Sequence, residues 1–140
     1  MKLLLLPIGK PRSKPIVELA SDYSQRLSHY VPFEIMACRD DRQALARVEP
    51  GDFFVLMDQR GGQMSSEQVA EFIQAHQMRG TRRMVFFIGG PDGAGDEIRK
   101  RADQTLGLSP MTFPHELVQV ILLEQLYRAF TILKREPYHK

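Results

Sequence analysis

Two uninterrupted apolar runs, Phe53–Met57 (FFVLM) and Met84–Ile88 (MVFFI), stand out in the hydrophobic pattern of the chain. Neither alternates with polar residues, so each suits a strand covered on both faces, as in a parallel sheet. Three further runs are shorter or more broken. The five strand candidates are Lys2–Gly9, Pro32–Cys38, Asp52–Asp58, Arg83–Gly89 and, least apolar, Gln104–Ser109.

The segments between them follow a helical period. Over Lys14–Tyr30, Pro15 suits a first helical turn, and Ile16, Leu19, Tyr23 and Leu27 recur on one face. Ser65–Met78 opens on a capping-box pair, Ser65 with Gln68, and carries Val69, Phe72 and Ile73 before a stop at Gly80. Asp40–Val48 and Gly95–Ala102 predict two short helices. A long one runs from Pro114, at its first helical position, to about Lys134, with Glu116 at its third. Strand and helix alternate throughout. The pattern therefore predicts an α/β domain over residues 1–140, with a mainly parallel sheet of five to six strands flanked by helices.

The last helix has more apolar surface than one core needs. Val118, Leu122, Leu126, Ala129 and Leu133 form its stripe, but Leu117, Val120 and Tyr127 lie outside it. Burial on two sides explains the surplus, and a homodimer is favoured over coverage by the same chain.

Composition excludes several classes. No run approaches the ~20 apolar residues of a membrane span. Leu3–Leu6 runs straight into Pro7 and is too short for a secretion signal, so a cytoplasmic protein is expected. Cys38 is the only cysteine, which rules out a disulfide framework and a thiolate metal cluster. The four histidines show no ligand spacing, so no metal site is expected. No Gly-x-Ser-x-Gly elbow occurs. The net charge is only +2, and the clusters Arg79/Arg82/Arg83 and Arg99–Arg101 read first as solvated surface.

In an open parallel sheet, ligands bind beyond the carboxyl ends of the strands. Three such places carry candidate chemistry. VLMDQRGG (55–62) ends a buried strand on Asp58. FFIGGPDGAGDE (86–97) is glycine-rich but lacks both the Walker ending and the third glycine of a dinucleotide fingerprint. LGLSPMTFPHELVQ (106–119) holds Leu108, Pro110, Met111 and Phe113 in a stiff apolar turn before Pro114, and the free amides of that turn suit a flat uncharged ring such as adenine. A plain connection that fills core is the competing reading.

Taken together, these loops resemble the ribosomal RNA large subunit methyltransferase H family. The resemblance covers nearly the whole chain, from KLLLLPIGK through VLMDQRGGQMSSEQVAEF. It is strongest in IGGPDG, LSPMTFPHELVQVILLEQLYRAF and the terminal YHK. It implies a small SPOUT-class enzyme with a C-terminal trefoil knot, methylating N3 of a pseudouridine in a hairpin loop of large-subunit (23S) rRNA on the assembled ribosome. S-adenosyl-L-methionine is the implied methyl donor. Carried over, its site comprises Met57, Gly89, Gly90, Leu108, Ser109, Pro110, Met111, Thr112 and Phe113. The implied dimer forms through the C-terminal helix. Tyr138, His139 and Lys140 are expected at the RNA site, with His139 assisting proton loss, Tyr138 orienting the base and Arg128 nearby.

The chain departs from the family pattern in places. Gln119 stands where arginine is usual, Met57 where leucine is common, and the last residue is lysine. An ion pair with Glu124 is the structural alternative for Arg128. A SPOUT enzyme acting on another RNA such as tRNA, and a non-enzymatic ribosome-binding factor, are the alternative functions.

Overall fold

Every core-facing stretch of the sheet reads as a row of side chains pointing alternately to its two faces. The computed structural model describes residues 1–139. Its strands are β1 (Lys2–Pro7), β2 (Phe33–Ile35), β3 (Phe53–Gln63), β4 (Arg83–Ile88) and β5 (Gln104–Gly107). All pair in parallel, in the order β2-β1-β4-β3-β5. The helices are α1 (Lys14–Ser28), α2 (Asp41–Ala46), α3 (Ser66–Met78), α4 (Asp96–Arg101) and α5 (His115–Leu133).

Leu3, Leu5, Val55, Met84, Phe86 and Ile88 point to one face and pack with Leu27, Ile73, Leu123 and Leu126 of α1, α3 and α5. Leu4, Leu6, Phe54, Leu56, Val85 and Phe87 point to the other and meet Ala44 of α2 and Ile98 of α4. Two covered faces account for the unbroken apolar runs. Burying such side chains contributes about 1.5–3 kcal/mol each before conformational entropy is set against it.

Several predicted details shift. β2 is shorter than Pro32–Cys38, because beyond Ile35 only an isolated bridge, Ile8 to Cys38, continues the pairing. β3 runs on through Gln63 instead of ending at Asp58. Pro114 is the N-cap of α5 rather than its first helical residue; its extended ψ of 140° holds it outside the helix, which moves Glu116 to the second position. On α1, Leu19 is exposed, while Ala20 and Leu27 are buried. The capping box of α3 forms as its sequence predicts.

One crossing positions the ligand end of the sheet. Leu106 of β5 pairs with both Met57 and Gly62 of β3, so residues 58–61 bulge around β5. A Cβ on Gly61 would lie 2.7 Å from the Thr105 backbone, and one on Gly107 2.9 Å from the Gly61 oxygen. Only glycine permits so close a pass. No helix among the described residues is long and apolar enough to cross a membrane.

Candidate functional site

A cleft of about 840 Å³ opens at the carboxyl ends of β3, β4 and β5. Met57, Ile88, Leu106, Leu108, Phe113 and Val118 give it an apolar floor. Gly89 and Gly90 continue β4 into a turn closed by the Gly93 amide on the Gly90 carbonyl (2.9 Å). A Cβ on Gly89 would sit 3.0 Å from Gly93 backbone, and one on Gly90 3.3 Å from Ile8, so the turn is tight on both sides.

The opposite wall is Ser109–Phe113. The Met111 amide turns back onto Ser109 Oγ (3.0 Å), and Thr112 Oγ1 donates to Gln59 Oε1 (2.6 Å), tying this wall to the β3 bulge. Among the described residues, the backbone N–H groups of Gly89, Gly90, Ser109, Thr112 and Phe113 have no protein acceptor. An apolar floor flanked by such donors fits a purine ring, which offers faces to the floor and acceptor nitrogens to the amides.

The charged end of the cleft is Asp58. Its carboxylate accepts from the Arg60 amide (2.9 Å), from Arg60 Nη2 (3.2 Å) and from Arg99 Nη2 (2.7 Å). The Arg60 guanidinium, helped by the Arg60 amide and Arg99, holds this carboxyl well below the usual carboxylate range against the opposing effect of burial. Asp58 is thus an anion with filled lone pairs and no general base.

A second polar cluster lies at the far end of α5. Arg128 grips Glu124 through Nη2 (2.7 Å) and Nε (3.0 Å). Tyr138 donates its hydroxyl to the same carboxylate (2.9 Å) and receives Tyr23 (3.3 Å). Burial and these two partners push the Tyr138 phenol upward, so it stays protonated. His139 Nδ1 faces Arg128 Nη1 (3.1 Å), and its Nε2 faces Glu67 Oε1 (2.8 Å). Guanidinium only donates, so Nδ1 must accept, and Nε2 carries the proton given to Glu67. While docked in this way, both ring nitrogens of His139 are occupied.

Comparison with known proteins agrees with this architecture. Residues 1–139 match the family model described as "Predicted SPOUT methyltransferase". The chain belongs to the SPOUT methyltransferase family. It is 43% identical to the ribosomal RNA large subunit methyltransferase H of Christiangramia forsetii, and 41% to that of Porphyromonas gingivalis, each over 99% of both chains. Among solved structures, a probable methylase family protein from Haemophilus influenzae aligns with a TM-score of 0.63 at 9% identity, over 99% of this chain and 70% of that one. The SpoU methyltransferase AviRb of Streptomyces viridochromogenes aligns at 0.55 and 13% identity, over 96% and 61%. At such identities these two matches bear on the fold alone.

Of the predicted cofactor residues, Met57, Gly89, Gly90, Leu108, Ser109, Met111, Thr112 and Phe113 line the one cleft. Pro110 does not; it is exposed to solvent. Arg128, Tyr138 and His139 come together, but away from the cleft: Arg128 lies ten residues beyond Val118 on α5, about 15 Å at the helical rise. Lys140 falls outside the described residues. The ion pair weighed for Arg128 is present, and the same guanidinium also touches His139 and the Tyr138 ring (5.0 Å).

The sequence offered Glu124 as a partner of Arg128 but not Glu67 or Tyr23. Glu124 sits four residues before Arg128, a spacing that was legible. Glu67 and Tyr23 come from distant elements and left no local signal. Gln119, in the position of the usual arginine, is buried (5% exposed) and makes no side-chain hydrogen bond among the described residues. No group of three or more metal-ligating side chains occurs among the described residues.

Proposed function

We propose that this SPOUT protein transfers a methyl group from S-adenosylmethionine to N3 of a pseudouridine in a hairpin loop of large-subunit rRNA, on the assembled ribosome in the cytoplasm. The observation that carries the reading is the cleft itself. Eight of the nine residues expected at the cofactor line one cavity, in a chain 43% identical, end to end, to a protein named as a large-subunit rRNA methyltransferase. The apolar floor and the row of free amides fit the adenosine part of the donor. When bound, that donor supplies a methyl group on a sulfonium, already activated for transfer.

What the chain adds is placement. Met57, Leu106 and Phe113 exclude water from one side of the ligand, and the Gly89–Gly90 turn limits it on the other. Holding two reactants in line lowers the barrier without any covalent help from the protein. We read the wrapping of residues 58–61 around β5, with its glycine contacts at Gly61 and Gly107, as the threading of the trefoil knot that shapes this cleft.

The base-binding cluster cannot reach the cleft of its own chain, because α5 separates them. A homodimer packed antiparallel along α5 solves this, bringing Arg128, Tyr138 and His139 of a second copy to the cleft. Val120 and Tyr127 do not support that dimer: Val120 is buried by its own chain, and Tyr127 packs on Tyr23, Tyr30 and Tyr138. Leu117 supports it, exposed at 39% on the same helix. In the dimer, Arg128 stabilises negative charge on the target base as its N3 proton leaves. His139 assists proton loss once its Nδ1 is released from Arg128, and Tyr138 orients the ring.

The test is methyl transfer from labelled S-adenosylmethionine to ribosomes from a strain lacking the gene, to naked rRNA and to tRNA. Label on the ribosomal pseudouridine is expected. Label on tRNA alone points to the other RNA class. Failure of the folded protein to bind S-adenosylmethionine at millimolar concentration points to a ribosome-binding factor without catalysis.

A further inference from the structure

Two arginines from different elements converge on Asp58 inside the cleft, and they differ in how exposed they are. Arg99 on α4 ties that helix to Asp58 of β3; its side chain is 35% exposed and Asp58 only 12%. Arg60, in the bulge after Asp58, is 72% exposed in its side chain. An ion pair that open contributes little to stability. Arg60 nevertheless approaches Asp58 through two guanidinium nitrogens, the longer contact at 3.4 Å, leaving Nη1 without a protein partner among the described residues.

The charges of the cleft narrow what such a pair can meet. The lining carries two guanidiniums, Arg60 and Arg99, and two carboxylates, Asp58 and Asp92. Asp92 is exposed on the glycine turn and has no cation within ion-pair distance among the described residues. Asp58 carries both arginines, so this end holds an excess of one positive charge. The donor proposed above brings one anionic group into the cleft, the α-carboxylate of its amino-acid part. The apolar floor offers that carboxylate nothing. Guanidinium is the side chain best shaped to receive it, through two parallel N–H groups.

We infer that Arg60 and Arg99, braced by Asp58, form the subsite for the α-carboxylate of the methyl donor. The inference rests on the reading of this cleft as a donor site. Asp58 holds the two forks side by side at the cleft edge. Arg60 moves partly from Asp58 to the ligand, and Arg99 stays anchored. Discrimination for a carboxylate-bearing ligand then resides in two side chains outside the apolar floor.

Titration calorimetry with S-adenosylmethionine and with its decarboxylated analogue, on the full chain, tests this. The native protein should bind S-adenosylmethionine about tenfold or more tightly than the analogue, the worth of one charge-assisted contact. Arg60→Gln should weaken S-adenosylmethionine binding by a similar factor and leave the analogue unchanged, closing the gap between them. Arg60 is exposed, so this variant keeps the fold; Arg99→Gln, checked by circular dichroism, should act in the same direction. An unchanged preference in Arg60→Gln overturns the assignment. If in addition the salt dependence of ribosome binding weakens, the two arginines serve an RNA phosphate instead. Absence of binding of either ligand to the native protein is a different failure, that of the donor-site reading itself.

Discussion

The cleft and the α5-end cluster are built on opposite principles. The cleft offers backbone amides, apolar side chains and glycines, with its charged groups confined to one edge. The cluster is charged and almost closed upon itself: Glu124 holds Arg128 and Tyr138, and His139 lies between Arg128 and Glu67. A cleft with unmet donors is ready for a ligand. A cluster whose donors and acceptors already satisfy one another must exchange partners before it touches one. On the proposed reading, the difference teaches that recognition of the methyl donor is preformed, whereas engagement of the base requires rearrangement.

The largest expected effect tests how rigid the cleft is. Gly61→Ala places a Cβ 2.7 Å from the Thr105 backbone and should cost about 1–3 kcal/mol, read from the urea midpoint. Gly62→Ala meets nothing within 4 Å and should stay within about 0.5 kcal/mol of the native protein. Equal losses would mean that the β3–β5 crossing is not close-packed.

Glu124→Gln breaks the cluster without touching the cleft. Arg128 and Tyr138 lose their shared carboxylate, at a cost of about 1–2 kcal/mol in stability. Affinity for S-adenosylmethionine should be unchanged while methyl transfer falls. A matching loss of donor affinity would deny that the two regions are separable. Leu117→Glu, on the exposed part of α5, should raise the dimer dissociation constant about tenfold, as sedimentation velocity can measure. An unaltered sedimentation profile would remove this residue from the interface and weaken the α5 dimer.

The smallest effect comes from neither region. His76 is buried against Phe53 and Phe72, its Nδ1 2.8 Å from Thr81 Oγ1. Burial, with Arg79 nearby, pushes its pKa below the ordinary 6.5, so the fold holds the neutral form. Its contribution is complete above pH 6.5 and is lost as pH falls through the lower folded value. Urea midpoints should therefore decline on acidification through this range, and His76→Gln should decline less. Parallel curves would place the loss elsewhere.

Much of the sheet was legible because FFVLM and MVFFI are long, apolar and bounded by turn residues. The three candidate loops were legible because each follows a strand candidate, two after these runs and the third after the less apolar Gln104–Ser109. The continuation of β3 through Gln59–Gln63 was not: this stretch has neither alternation nor apolar content, and it is extended only because it wraps β5. Pro114 sits one position outside the helix because its ψ follows the stiff turn before it. Glu67 and Tyr23 stayed hidden for a different reason. They meet the chain terminus only after α1, α3 and α5 pack together, and no local spacing encodes that.

The central claim concerns what the cleft and the cluster accomplish together on rRNA. Mass mapping of large-subunit rRNA from a strain lacking this gene, complemented with the native protein or with Arg128→Ala, addresses it most directly. The account predicts that one pseudouridine methyl group disappears in the deletion, returns with the native chain and fails to return with Arg128→Ala. An intact N3-methylpseudouridine in the deletion strain would contradict it.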